Sequence, residues 1–215
     1  MIELRGKNVL ITGGSAGLGV NLVVKYSNSK DSAEALAAEI REAQGVKVHV
    51  VQADTHSLLG GLNIVIFNAG WTKFVPFAKI DELDDEIWDG CLNANIKSHF
   101  YLFRAAKKYL ERNADGGTFI VSASLAGRRC VGSSIPYAVS KAALIHLVQI
   151  LAKSRGPKVR THAVSVFREA IRETIEQSPI KEIADVDETA VHFVFLCQLA
   201  SSTGTTVGVD AGVYL

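Results

Sequence analysis

Strand-like and helix-like segments alternate along these 215 residues, which predicts an α/β fold with a doubly wound, mostly parallel sheet. Short apolar runs give strands at about Asn8 to Thr12, Val46 to Gln52, Asn63 to Asn68, Thr118 to Ser122, Arg160 to Ser165 and Thr205 to Asp210. Helical patterns fall between most of them: Asp31 to Ala43, Glu82 to Leu110 as one long or broken helix, Ser134 to Ser154, and Asp187 to Leu199. The first strand runs straight into Thr12-Gly13-Gly14-Ser15-Ala16-Gly17-Leu18-Gly19, a glycine-rich turn of the kind that lets backbone approach a pyrophosphate. The expected architecture is therefore Rossmann-like, with one or two crossover helices missing.

The missing helices are read from connection lengths. Val20 to Tyr26 looks like a second strand, yet only Gly13 to Gly19 separate it from the first, and a parallel crossover takes roughly a dozen residues or more. Either Val20 to Tyr26 is conscripted as a helix despite its β-branched residues, or it pairs or wanders as the chain allows. In the first case Val46 to Gln52 becomes the neighbour of strand one, and Asp54 stands where a ribose-binding acid goes. Between Asp54 and Asn63 lie eight residues, which reach about 27 Å at most, too little for a covering helix. One sheet face is expected to be left bare, inviting association.

Composition fits one domain over 1–215, with 48% hydrophobic residues available for a core. A net charge of +1, from 23 basic and 22 acidic residues, gives no footprint for nucleic acid or an anionic membrane. No secretory leader or apolar run of membrane-spanning length is read, so the expected address is cytoplasmic. Cys91, Cys130 and Cys197 are scattered, and the six histidines show no ligand spacing, so no metal is assigned.

Tyr137 and Lys141, four residues apart on the predicted helix Ser134 to Ser154, can share one face. A phenol titrates near about 10 alone, and a neighbouring ammonium favours its ionised form, so the pair can move a proton near neutrality. Ser124, thirteen positions upstream, could hold a reacting oxygen by hydrogen bond. Two further elements are Asn68-Ala69-Gly70 at the end of a strand, where a nucleotide could lie against backbone, and Asn93-Ala94-Asn95-Ile96-Lys97. Trp71, directly after Gly70, reads as core or loop packing rather than a stacking platform.

Taken together, Thr-Gly-x-x-x-Gly-x-Gly, Asn-Ala-Gly, a central Asn, Ser and Tyr-x-x-x-Lys resemble, in order, the pattern of the short-chain dehydrogenase/reductase family. The resemblance extends to Thr203 through Gly212. It implies hydride transfer between a nicotinamide and an alcohol or carbonyl carbon, interconverting a secondary alcohol and a carbonyl. It also implies the roles: Tyr137 as acid/base, Lys141 on the nicotinamide ribose, Ser124 on the substrate oxygen, and Asn95 supporting a proton-relay water. Implied cofactor contacts are Gly13, Ser15, Gly17, Leu18, Gly19, Tyr26, Ser27, Asp54, Asn68, Ala69, Gly70, Tyr137 and Lys141. Tyr26-Ser27-Asn28-Ser29-Lys30 lacks an acid and resembles NADP-preferring members, so NADP(H) is the preferred cofactor, with NAD(H) possible.

One departure from the family follows Val164-Ser165, where Pro-Gly and a threonine-bearing loop are expected but Val166-Phe167-Arg168-Glu169 runs on. The substrate is a small-molecule carbonyl or alcohol, and a homo-oligomer through the helices at Glu82 to Leu110 and Ser134 to Ser154 is expected from the resemblance. The alternative is a catalytically impaired relative that serves as a non-catalytic binding or interaction protein.

Overall fold

The computed structural model describes residues 1–12, 21–25, 34–35, 37–38, 48–51, 61–166, 175–176 and 178–213. Seven strands form one sheet: β1 (Asn8–Thr12), β2 (Asn21–Lys25), β3 (Val48–Val51), β4 (Ile64–Phe67), β5 (Gly117–Ser124), β6 (Val159–Val166) and β7 (Thr206–Val209). All pairs are parallel, in the order β3-β2-β1-β4-β5-β6-β7. The chain winds outward one way from β1 to β3, then returns to start β4 on the other side of β1. That reversal makes the carboxyl ends of β1 and β4 the switch point of the sheet, where ligands of open α/β folds bind.

The register decides between the two readings of residues 20–26. Asn21–Lys25 is a strand, aligned from Asn8 opposite Asn21 to Thr12 opposite Lys25, and the helical alternative is overturned. A run of Leu22, Val23 and Val24 flanked by two ladders gains more from sheet pairing than from a helix that crowds β-branched side chains. β3 pairs with β2, not β1, so the placement of Asp54 beside the first strand falls with it. The connections 13–20 and 52–60 lie outside the described residues, as does most of the expected helix Asp31 to Ala43; its described positions 34–35 and 37–38 are helical.

The expected single helix from Glu82 to Leu110 is broken. Asp84 caps α1 (Asp85–Leu92) by accepting from the Ile87 N–H, a π-helical turn follows over Asn93–Lys97, and α2 (Ser98–Leu110) completes the segment. Helix α3 (Ile135–Arg155) starts at Ser134, whose Oγ accepts from the Tyr137 N–H, with Pro136 in the first turn. Helix α4 (Val186–Gln198) opens on a reciprocal capping box between Asp185 and Glu188.

Alternating strand residues feed two cores. Leu10, Val65, Phe67, Phe119, Val121 and Ala163 meet Phe103, Ala106 and Leu110 of α2 and Leu144, Val148 and Leu151 of α3. On the other face, Val9, Ile11, Ile64, Ile66, Ile120 and Val164 meet Leu196 and Cys197 of α4, together with Ala37. The bare face expected from the short connections is therefore corrected at β1 and β4, where these side chains are buried. A second correction concerns α3: at 21 residues and a mean hydropathy of 1.5, it is long and apolar enough to cross a membrane by length and composition. Its apolar character follows from packing: Leu144, Val148 and Leu151 lie in the core, and the same helix carries Tyr137, Ser140 and Lys141.

Candidate active site

The site forms at the carboxyl ends of β1, β4 and β5. Thr12, last in β1, turns its hydroxyl toward the β4 exit, where Oγ1 accepts from the Asn68 N–H (3.1 Å) and the Ala69 N–H (3.2 Å). The Asn68-Ala69-Gly70 turn is thus pinned to β1 while remaining exposed. At Gly70 a Cβ would lie 3.2 Å from Asn95 Oδ1 and 3.4 Å from Lys141 Nζ, so the absence of a side chain lets main chain run against the ammonium.

Asn95, fully buried in the π turn, works as a three-way tie. Its Oδ1 accepts from the Trp71 N–H (2.9 Å), and its Nδ2 donates to the Trp71 carbonyl (2.9 Å) and to Ser140 Oγ (2.9 Å). Ser140 Oγ in turn donates to the Tyr137 carbonyl at 2.7 Å. Both amide protons of Asn95 are spent on protein, so the side chain fixes the loop after β4 to the first turns of α3. A π bulge suits this, because it rotates one side chain out of the regular helical series.

Lys141 is 4% exposed, and its Nζ donates to the Ser122 carbonyl of β5 at 2.8 Å. The ammonium stands 5.7 Å from the centroid of the Tyr137 ring. Burial lowers its pKa from 10.5 to about 8, opposed by the neighbouring Cys91. The lysine is thus mostly charged at neutrality. Tyr137 is half-buried in the first turn of α3. Ser124, last in β5, accepts from the Ala126 N–H at 3.2 Å, which leaves its own proton free to donate. The turn that follows seats on α3 at the lysine itself: a Cβ on Gly127 would come within 2.5 Å of the Lys141 carbonyl carbon.

The structure therefore places Asn95 and Lys141 around the space that a side chain at Gly70 would fill, sets Tyr137 beside Lys141, and anchors Ser124 on the turn packed against that lysine. Gly13, Ser15, Gly17, Leu18, Gly19, Tyr26, Ser27 and Asp54 lie outside the described residues. Two residues were missed by the sequence reading. Ser140 sits between the reactive pair at hydrogen-bonding distance along the helix, and Thr12 heads the glycine-rich turn; each had a signal only in its position next to a motif. Trp71 follows its expectation in part. Its ring packs so closely on Gly90 of α1 that a Cβ there would be 2.6 Å from Cζ3, yet 41% of the residue is exposed.

A dinucleotide fits this arrangement. The switch point offers an exposed turn that ends in Gly70, and the buried ammonium has N–H groups beyond the one given to Ser122.

A family model described as enoyl-(acyl carrier protein) reductase matches residues 3–214. The 3-oxoacyl-[acyl-carrier-protein] reductase FabG of Aquifex aeolicus is 27% identical, over 99% of this chain and 99% of its own. That alignment runs over 250 positions, at least 35 more than the 215 residues here, in keeping with internal shortening. The short chain dehydrogenase mdpC of Emericella nidulans is 31% identical, over 73% of this chain and 66% of its own. A short chain dehydrogenase from Burkholderia cenocepacia, solved in complex with NADP, superposes with a TM-score of 0.85 at 26% identity, covering 99% of each chain. With its parallel sheet, its Tyr137 and Lys141 on one helix and these relatives, the chain belongs to the short-chain dehydrogenase/reductase family.

Proposed function

We propose that the chain interconverts a secondary alcohol and a carbonyl at the cluster of Ser124, Tyr137 and Lys141, with NADP(H) as the preferred cofactor. The observation that carries this reading is the buried Lys141 ammonium, held by Ser122 between the side-chain-free Gly70 and the ring of Tyr137. A charge kept out of water stabilises a developing phenolate more than a solvated one does. When bound, the nicotinamide supplies or accepts the hydride. Ser124 donates its free proton to the substrate oxygen, Tyr137 delivers or removes the proton of that oxygen, and Lys141 holds the ribose and stabilises the phenolate. Asn95 keeps the loop after Gly70 and the first turns of α3 in register.

The NADP preference is supported by the lack of an acid in residues 26–30, directly after β2, and by the NADP complex of the Burkholderia cenocepacia protein. NAD(H) remains the second candidate. The substrate we assign is a small to medium, largely apolar ketone or alcohol, in keeping with the exposed Trp71 and Phe74 on the loop after Gly70. A homo-oligomer in the cytoplasm completes the proposal.

The test is NADPH oxidation against a panel of carbonyl compounds. Tyr137→Phe is expected to lower kcat by roughly 10²-fold or more and leave NADPH affinity within about twofold. Turnover retained by this variant refutes the role of the phenol.

A further inference from the structure

Gly132, in the loop that joins Ser124 to Tyr137, has a φ of +120°, a backbone conformation that residues with a side chain rarely adopt. What lies beside it is the phenol ring. A Cβ built on Gly132 would come 2.8 Å from the Ala126 Cβ, and 3.4 and 3.8 Å from Tyr137 Cδ1 and Cε1. The bare main chain at Gly132 therefore passes along one edge of the Tyr137 ring, where any larger residue would displace something.

Two of the three surfaces that meet there are held. Ala126 is buried in the turn after β5, its N–H donates to Ser124 Oγ, and the next residue, Gly127, seats on α3 at the Lys141 carbonyl carbon. The loop itself is clamped through Ser133, whose carbonyl accepts from the Val75 N–H at 2.8 Å and whose hydroxyl is hydrogen-bonded to that of Thr72. Thr72 and Val75 follow Trp71, which Asn95 ties down by both its N–H and its carbonyl. On the other side of the clamp, Ser134 caps α3. The half-buried Tyr137 ring is the surface best able to yield.

We propose that Gly132 is a positioning residue for Tyr137: its main chain, held by Ser133, is the wall against which the ring rests, and it thereby sets where the phenol meets the substrate oxygen. The ring swings about its Cα–Cβ bond as a lever, so a small displacement at Cδ1 grows at the hydroxyl. A misplacement of about 1 Å can cost roughly 10²-fold in rate. The inference deepens the proposed function and rests on it for the effect on turnover alone, since the placement of the ring is measurable without turnover.

The experiment follows the Tyr137 ring by NMR with ring-¹³C-labelled tyrosine, its resonances assigned by their loss in Tyr137→Phe. Gly132→Ala is expected to shift them and to lower kcat roughly 10- to 100-fold, with KM and NADPH affinity within about twofold. Ala126→Gly combined with Gly132→Ala removes the atom at 2.8 Å, lets the new Cβ seat without moving the ring, and should recover most of both effects. The control is Gly204→Ala near the amino end of β7, at the opposite end of the sheet, where φ is +73° and a Cβ would lie 3.3 Å from the Ala152 Cβ. It should lower Tm by about as much as Gly132→Ala and leave kcat and the Tyr137 resonances unchanged. Unmoved Tyr137 resonances in Gly132→Ala, or a loss of kcat in Gly204→Ala equal to that in Gly132→Ala, overturns the proposal. Should Gly132→Ala not fold, Ser133→Ala, which loosens the clamp without adding an atom, takes its place, and Tyr137 resonances unchanged there overturn it equally. If wild-type protein shows no turnover, the resonances still decide the placement, and the proposed function fails separately.

Discussion

Lys141 shows what the site costs as well as what it does. Its folded pKa, about 8, lies below the unfolded 10.5, so at pH 7 the native state carries a charged group that water would hold better. The penalty is on the order of 3 kcal/mol, present in full below about pH 8 and fading as pH rises toward 10.5. Lys141→Met keeps the length of the chain and removes the charge. We expect it to abolish turnover while stabilising the fold by about 1–3 kcal/mol, a rise in Tm of several degrees by calorimetry. A fall in Tm would mean that the bond to Ser122 outweighs the burial of the charge. The lysine and Tyr137 were legible in the sequence because i, i+4 spacing along one helix maps directly onto one face, and Ser124 only through its place in the family's motif order. The environment around the lysine was not, since Ser122 and Gly70 come from two other segments.

At the scale of the element, the π turn over Asn93–Lys97 joins α1 to α2 and turns Asn95 toward both Trp71 and Ser140. Asn95→Ala removes three hydrogen bonds at once. A loss of roughly 2–4 kcal/mol in urea unfolding is expected, with Tyr137 less well held and KM raised. A change below about 0.5 kcal/mol would contradict the tie. The sequence reading made Glu82 to Leu110 one long or broken helix, and it could not locate the turn. Residues on either side keep right-handed helical backbone, and the irregularity is set by two partners distant in the chain. Strand β2 is the opposite case. Its β-branched run was legible as a strand, and only the short connection before it argued otherwise.

For the whole molecule, acid stability depends on two imidazoles buried in the folded state. Burial, reinforced by Lys141 and Arg160 respectively, lowers His99 to about 3 and His162 to about 4 from an ordinary 6.5. Unfolding below pH 6.5 therefore takes up protons, so stability holds above that value and is lost as pH falls from 6.5 toward 4. Urea unfolding at pH 5 should give a free energy roughly 2–4 kcal/mol below that at pH 7, with His162→Leu removing about half of the difference. An unchanged dependence in that variant would contradict the part assigned to His162. The covering of the sheet face by α4 belongs to this scale too. Local connection lengths pointed to a bare surface, while Leu196 and Cys197, far along the chain, pack against Ile64, Ile66 and their neighbours.

The central claim is that these elements still assemble a pyridine-nucleotide site around Lys141 despite the shortened chain. Titrating the protein with NADPH, followed by quenching of Trp71 and Trp88 fluorescence, tests it most directly. Saturable binding that Lys141→Met weakens by about tenfold or more is the result expected, and no binding at millimolar NADPH or NADH would contradict the account.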